Sequence, residues 1–167
     1  PCPLAPRPVP PVLSSALPEN APDQGEVLVS DVYQGLDGIE RGTVTEVRVI
    51  QIFPKTTPVG GAPPIGLAAG ENGRAVLGEA PVEADGSVRI TVPARKPILF
   101  QLLDKDGMAV QTMRSLTYLQ PGERVSCVGC HENRMNAPVK GTPLAAQRDA
   151  SAITPKAFEN EPFSYMR

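Results

Sequence analysis

Twenty prolines and fifteen glycines spread through 167 residues limit this chain more than any other feature. Proline lacks a backbone donor and clashes with the preceding helical turn, and glycine carries the largest entropic cost of ordering. Long helices are therefore excluded, and short strands joined by turns are what fits between the punctuating residues. Aromatic residues are only 4% and tryptophan is absent, so the core must be built from Val, Ile, Leu and Ala. A middle segment of roughly 100 residues can bury enough of these to fold alone, with little excess.

The strand pattern is legible there. "EVLVSDVY" (Glu26 to Tyr33) alternates apolar and polar residues and is followed by "QGLDG". "TVTEVRVIQIF" (Thr43 to Phe53) is rich in β-branched residues. "SVRITV" sets Val88, Ile90 and Val92 on one face and Ser87, Arg89 and Thr91 on the other, the two-residue period of a half-buried strand. Asp85-Gly86 just ahead of it is a strong turn signal. "PILFQLL" (Pro97 to Leu103) reads as a central strand, and "DKDG" turns the chain into "MAVQTMRS" (Met108 to Ser115). Short strands with turns between them predict an all-β fold, a small transthyretin/Ig-like β-sandwich with a loop-rich C-terminal segment. "VEADGSVRITVPARKPILFQLLDKDGMAV" resembles sandwich modules of the transthyretin-like or carboxypeptidase-regulatory type, which implies fold and not activity.

Three regions follow. Residues 1–24 are a Pro-rich tail or linker favouring extended backbone. Residues 25–138 form the sandwich, and 139–167 an irregular C-terminal tail in which "TPLAAQRDAS" holds one short helix capped by Thr142. "PKTTPVGGAPPIGLAAGENG", from Pro54 to Gly73, is too long for a hairpin turn; it is a functional loop or a plain surface insertion. The chain opens on Pro1 rather than methionine, so a removed leader or a fragment of a longer chain is expected. The net charge of −2 gives no electrostatic case for nucleic acid, and no apolar run reaches the length of a membrane span.

Cys127, Cys130 and the chain's single histidine, His131, spell C-x-x-C-H. This is the attachment sequence of c-type haem. Two thiols at this spacing can each form a thioether with one haem vinyl group, and the adjacent imidazole can then ligate the iron. Gly129 keeps the loop small enough to bend around the porphyrin edge. Two other chemistries use a Cys-x-x-Cys pair. A disulfide or thioredoxin-like redox pair expects a strand-to-helix setting, whereas this motif follows a Pro-Gly turn and precedes Asn- and Pro-rich sequence. A structural zinc site takes four ligands, and beyond the motif there is only the distant Cys2.

"AVQTMRSLTYLQPGERVSCVGCHENR", preceded by "APVEADGSVRITVPARKPILFQLLDKDGMA", resembles the middle domain of hydrazine synthase alpha subunits and their relatives. "SDVYQGLDGIERGTV" and "IQIFPKTTP" resemble the same family, so the likeness runs over about residues 17–138. It implies a haem-bearing β domain that commonly follows a β-propeller in a larger secreted protein, and it supports the haem more strongly than any one reaction. For the synthase itself it implies a tyrosine iron ligand four residues past the motif histidine, with that histidine diverted to a metal ion. Here that position is Met135, so Cys127, Cys130 and His131 are the residues carried over.

With one histidine, two imidazoles from this chain cannot both ligate the iron. The second axial place falls to a methionine, to a neighbouring chain, or stays open. Met113 is the first candidate, with Met108 or Met135 as alternatives, against the ordinary role of methionine as core filler. Tyr33 and Tyr118 could approach an open iron, although tyrosine in a strand is usually core. Arg114, Arg124 and Arg134 flank the motif and could pair with haem propionates or with local carboxylates. The expectation is a mono-haem c-type cytochrome domain binding haem c, relaying electrons to redox partner proteins, other haem subunits or a second copy. The alternatives are a catalytic open-site haem domain acting on a small nitrogen or oxygen species, and a structural zinc or disulfide assembly domain. Haem c is attached after export, which predicts the periplasm or cell exterior.

Overall fold

The computed structural model describes residues 9–12, 14, 17–55, 57–131, 133, 135, 137 and 141–153. Among the described residues, eight strands build two four-stranded sheets: β1 (Gln24–Val29), β2 (Glu46–Phe53), β3 (Gly73–Pro81), β4 (Val88–Pro93), β5 (Ile98–Leu103), β6 (Ala109–Thr112), β7 (Arg124–Cys127) and β8 (Ser151–Ala152). The order is β7-β1-β4-β8 in one sheet and β3-β2-β5-β6 in the other. The fold is the all-β sandwich that the sequence predicts. Among the described residues no helix is long and apolar enough to cross a membrane.

The alternation in β4 does what its period requires. Val88, Ile90 and Val92 are buried, while Arg89 and Thr91 lie on the half-buried outer face. Val27 of β1, Val47 and Val49 of β2, and Ile98 and Leu102 of β5 meet them, giving an aliphatic core with no tryptophan. The continuous apolar run of β5 buries Ile98, Leu99, Leu102 and Leu103, as befits a strand paired on both sides by β2 and β6.

Several expectations need correction. The first strand stops at Val29, not Tyr33, because the Asp31 side chain accepts the Tyr33 N–H (3.1 Å) and turns the chain. Strand β3 lies where no strand is expected. Val49 pairs with Gly78 and Ile50 with Val76, so Leu77 is an extra residue in a β-bulge that throws the alternation out of phase. The short helix expected in "TPLAAQRDAS" is a 3₁₀ turn, Leu144–Gln147, whereas Ser151–Ala152 of the expected irregular tail pair in parallel with β4. Thr142 does not cap that turn. Its first N–H groups go to the β3–β4 turn instead, Leu144 to Asp85 Oδ2 (2.8 Å) and Ala145 to Ser87 Oγ (2.9 Å).

Candidate functional site

Strand β7 is an edge strand, and it pairs in parallel with β1 so that Val29 stands opposite Cys127. Beyond Cys127 the chain leaves the sheet but stays docked on the turn that follows β1. Ser30 N–H donates to Cys127 C=O (2.9 Å), Asp31 N–H to Val128 C=O (3.1 Å), and His131 N–H to Gln34 C=O (3.5 Å). Gly129 is buried in this contact. A Cβ there would lie 2.4 Å from both Cβ and the carbonyl oxygen of Gln34, so only glycine lets the two backbones approach this closely. The protein's own turn by itself demands a small residue at 129. Gln34 carries no sequence signal of this role.

The loop borders a cavity of about 150 Å³ between the sheets. Val27, Val29, Val88 and Ile90 line it from one sheet, Phe100 and Leu102 from the other, and Met113, Cys127 and Cys130 complete the wall. Both cysteines are half-buried, Cys130 packs against the core, and His131 is exposed. One short loop therefore presents two thiols at an apolar cavity and an imidazole towards solvent.

Residues 42–132, more than half of the chain, match the family described as the hydrazine synthase alpha subunit middle domain. The chain belongs to this family. Hydrazine synthase subunit alpha of Kuenenia stuttgartiensis is 30% identical over 113 residues, covering 59% of this chain and 14% of that protein. The solved structure of Kuenenia stuttgartiensis hydrazine synthase aligns with a TM-score of 0.61 at 26% identity, over 77% of this chain and 20% of that one. The chain thus spans no more than a fifth of the length of these relatives. The hydrazine synthase alpha match takes in Met113 and the whole of Cys127–His131, and stops short of Arg134 and Met135.

Of the residues singled out by sequence, the fold brings Met113, Cys127 and Cys130 around one cavity, with His131 next in the chain. Met108 is 66% exposed beside the Asp104–Gly107 turn and Met135 is 89% exposed; neither lines the cavity. Arg114 is exposed, and Arg134 lies outside the described residues, as does Cys2. Arg124 reaches Glu26 Oε2 (3.5 Å), which also accepts from Arg89 Nη2 (2.6 Å). The hydrogen bond from Arg89 holds the Glu26 carboxyl below the usual carboxylate range, and the charges of Arg89 and Arg124 add to the effect. The Tyr33 hydroxyl accepts the N–H groups of Gly42 (2.7 Å) and Val44 (3.0 Å), which makes it a structural post, and Tyr118 is on the surface.

The donor set fits a haem tethered at the cavity's rim and not within it. The two thiols and the imidazole have the chemistry and order that attachment needs. The cavity, at about 150 Å³, is well below the roughly 300–1,000 Å³ of pockets that enclose cofactor-sized ligands. Among the described residues no three His, Cys, Asp or Glu side chains cluster as metal ligands, so a zinc site would need donors from elsewhere.

Proposed function

We propose that this domain binds one haem c through thioethers from Cys127 and Cys130, with His131 as an axial ligand, and passes single electrons to partner proteins. The observation that carries the reading is the C-x-x-C-H loop itself, docked by its backbone so that both thiols border an apolar cavity and the imidazole faces outward. When bound, the haem would supply a one-electron iron couple. Met113 is the methionine that shares the cysteines' cavity, and it is the chain's best candidate for the second axial position. A thioether there raises the potential of the couple and suits electron transfer. Arg114 and Arg134 are the candidate partners of the propionates. Attachment of haem after export makes the periplasm or cell exterior the expected compartment. Because its relative is named as a subunit, redox subunits or a second copy are the expected partners.

Expression alongside a haem-attachment system, followed by mass spectrometry of the denatured polypeptide, tests this. The expected result is a chain heavier by one haem that keeps its colour through acid-acetone extraction. An unmodified mass would remove the proposal. The relatives' name, hydrazine synthase, favours a second reading in which the iron keeps an open site for a small nitrogen or oxygen species. Carbon monoxide added to the reduced protein separates the two. An unchanged spectrum marks a six-coordinate carrier, and a clear shift marks an open site.

A further inference from the structure

We propose that Asp31 is a positioning residue that holds the C-x-x-C-H loop in its attachment-ready conformation. The inference rests on the haem reading above and deepens it. Asp31 is 5% exposed, and its carboxylate ties its own turn to Arg41. Oδ1 accepts the Tyr33 N–H (3.1 Å) and Arg41 Nη1 (3.3 Å); Oδ2 accepts Gln34 Nε2 (3.2 Å) and forms an ion pair with Arg41 Nη2. Arg41 also donates to Asp85 C=O (3.2 Å), and its guanidinium lies 5.1 Å from the centre of the Tyr33 ring. From below, Gly86 (φ +84°) presses close, since a Cβ there would stand 2.4 Å from Asp31 Oδ1.

The turn that this carboxylate fixes, Ser30 to Gln34, is the surface on which the motif lies. It contacts Cys127, Val128 and His131 through three backbone hydrogen bonds and Gly129 by direct packing. The backbone that carries both thiols and the imidazole is therefore docked on a turn held by one buried carboxylate. Simple turn stabilisation would leave the motif's presentation dependent on global stability alone. Positioning makes it depend on Asp31 beyond that.

The test uses haem-free chain under reducing conditions, with native-state alkylation of Cys127 and Cys130 read by mass spectrometry. Asp31→Ala is expected to raise the alkylation rate about tenfold or more over wild type, the scale on which losing a charged hydrogen-bond partner shifts a local opening. Val49→Ala, a core change in β2 away from the cavity lining, serves as the control for lost stability. Equal rate increases for the two variants at matched stability would overturn the proposal. Should Asp31→Ala fail to fold, Asp31→Asn and Gly129→Ala carry the same assay, and wild-type rates in both would overturn it. In haem-loaded protein, Asp31→Asn should change the axial-ligand spectrum at unchanged haem content; an identical spectrum counts against positioning. A wild-type chain that takes up no haem would refute the function while leaving the thiol assay decisive for Asp31.

Discussion

Replacing Asp85 with alanine tests how the segment after the motif is fastened to the sandwich. The Asp85 carboxylate accepts three hydrogen bonds, from Ser87 N–H (3.0 Å), Ser87 Oγ–H (2.6 Å) and Leu144 N–H (2.8 Å). Ser87 is fully buried, so its donors cannot turn to water, and its hydroxyl oxygen in turn receives the Ala145 N–H. Leu144 is 38% exposed and recovers solvent more readily. Stranding a buried donor costs about 1–3 kcal/mol, and because Asp85 is itself only half-buried the two Ser87 donors count at about 1–1.5 each, so with the Leu144 bond at a fraction the total is about 2–4 kcal/mol. At about 4 °C per kcal/mol for a domain of this size, Asp85→Ala should melt roughly 8–16 °C below wild type. Hydrogen exchange at Leu144 and Ala145 should lose protection together with the β8 pairing. Partial burial pushes the Asp85 carboxyl up, but the Leu144 amide and the Ser87 hydroxyl and amide outweigh it and hold it below the ordinary value. A lowered folded-state pKa means that the stabilisation is complete above the unfolded value of about 4 and disappears as pH falls through the folded one. The gap between wild type and Asp85→Asn should therefore close in acid. A fall in Tm under about 3 °C, less than 1 kcal/mol on the same scaling, with amide protection retained would refute this account of the anchor.

Three further outcomes follow from the same geometry. Met113→Ala should cost about 1–3 kcal/mol as a half-buried side chain is cut back, and in haem-loaded protein it should alter the visible spectrum; an unchanged spectrum rejects Met113 as a ligand. Gly25→Ala would set a Cβ 2.7 Å from Leu119 Cδ2 and 2.9 Å from Glu123 C=O at the β1–β7 junction. It should lose about 1–3 kcal/mol in denaturant titration through overpacking, with the m-value unchanged. Glu26→Gln removes a partly exposed pair with Arg89, so it should cost about 1 kcal/mol at neutral pH and progressively less below about pH 4.

The sandwich was readable where alternation is clean, as in β4, or where an apolar run is unbroken, as in β5. It was hidden where the backbone departs from a two-residue period. Leu77 and Gly78 put β3 out of phase, and β7 offers only four residues, too few for a period to emerge. The Asp85-Gly86 turn was visible as a turn, yet its second role, capping the 3₁₀ turn 59 residues later in the chain, depends on a contact that no local pattern encodes. The motif was legible from Cys127, Cys130 and His131 alone. Its supports at Asp31 and Gln34 were not, because a short polar turn after a strand looks the same whether or not another loop is docked on it.

That last contrast bears on what the domain can do with a porphyrin. Covalent attachment needs only two presented thiols, and the loop presents them. Enclosure needs walls, and a cavity of about 150 Å³ bounded by Val, Ile and Leu can receive no more than an edge of the macrocycle. A haem tethered here must leave much of its surface to solvent or to another protein surface. Solvent contact and a short path to the exterior favour quick electron exchange with a partner, whereas chemistry on a small substrate calls for a site from which water is excluded. Under the proposed haem reading, the described residues therefore favour electron transfer. Catalysis would require a second wall in addition to those that the described residues supply.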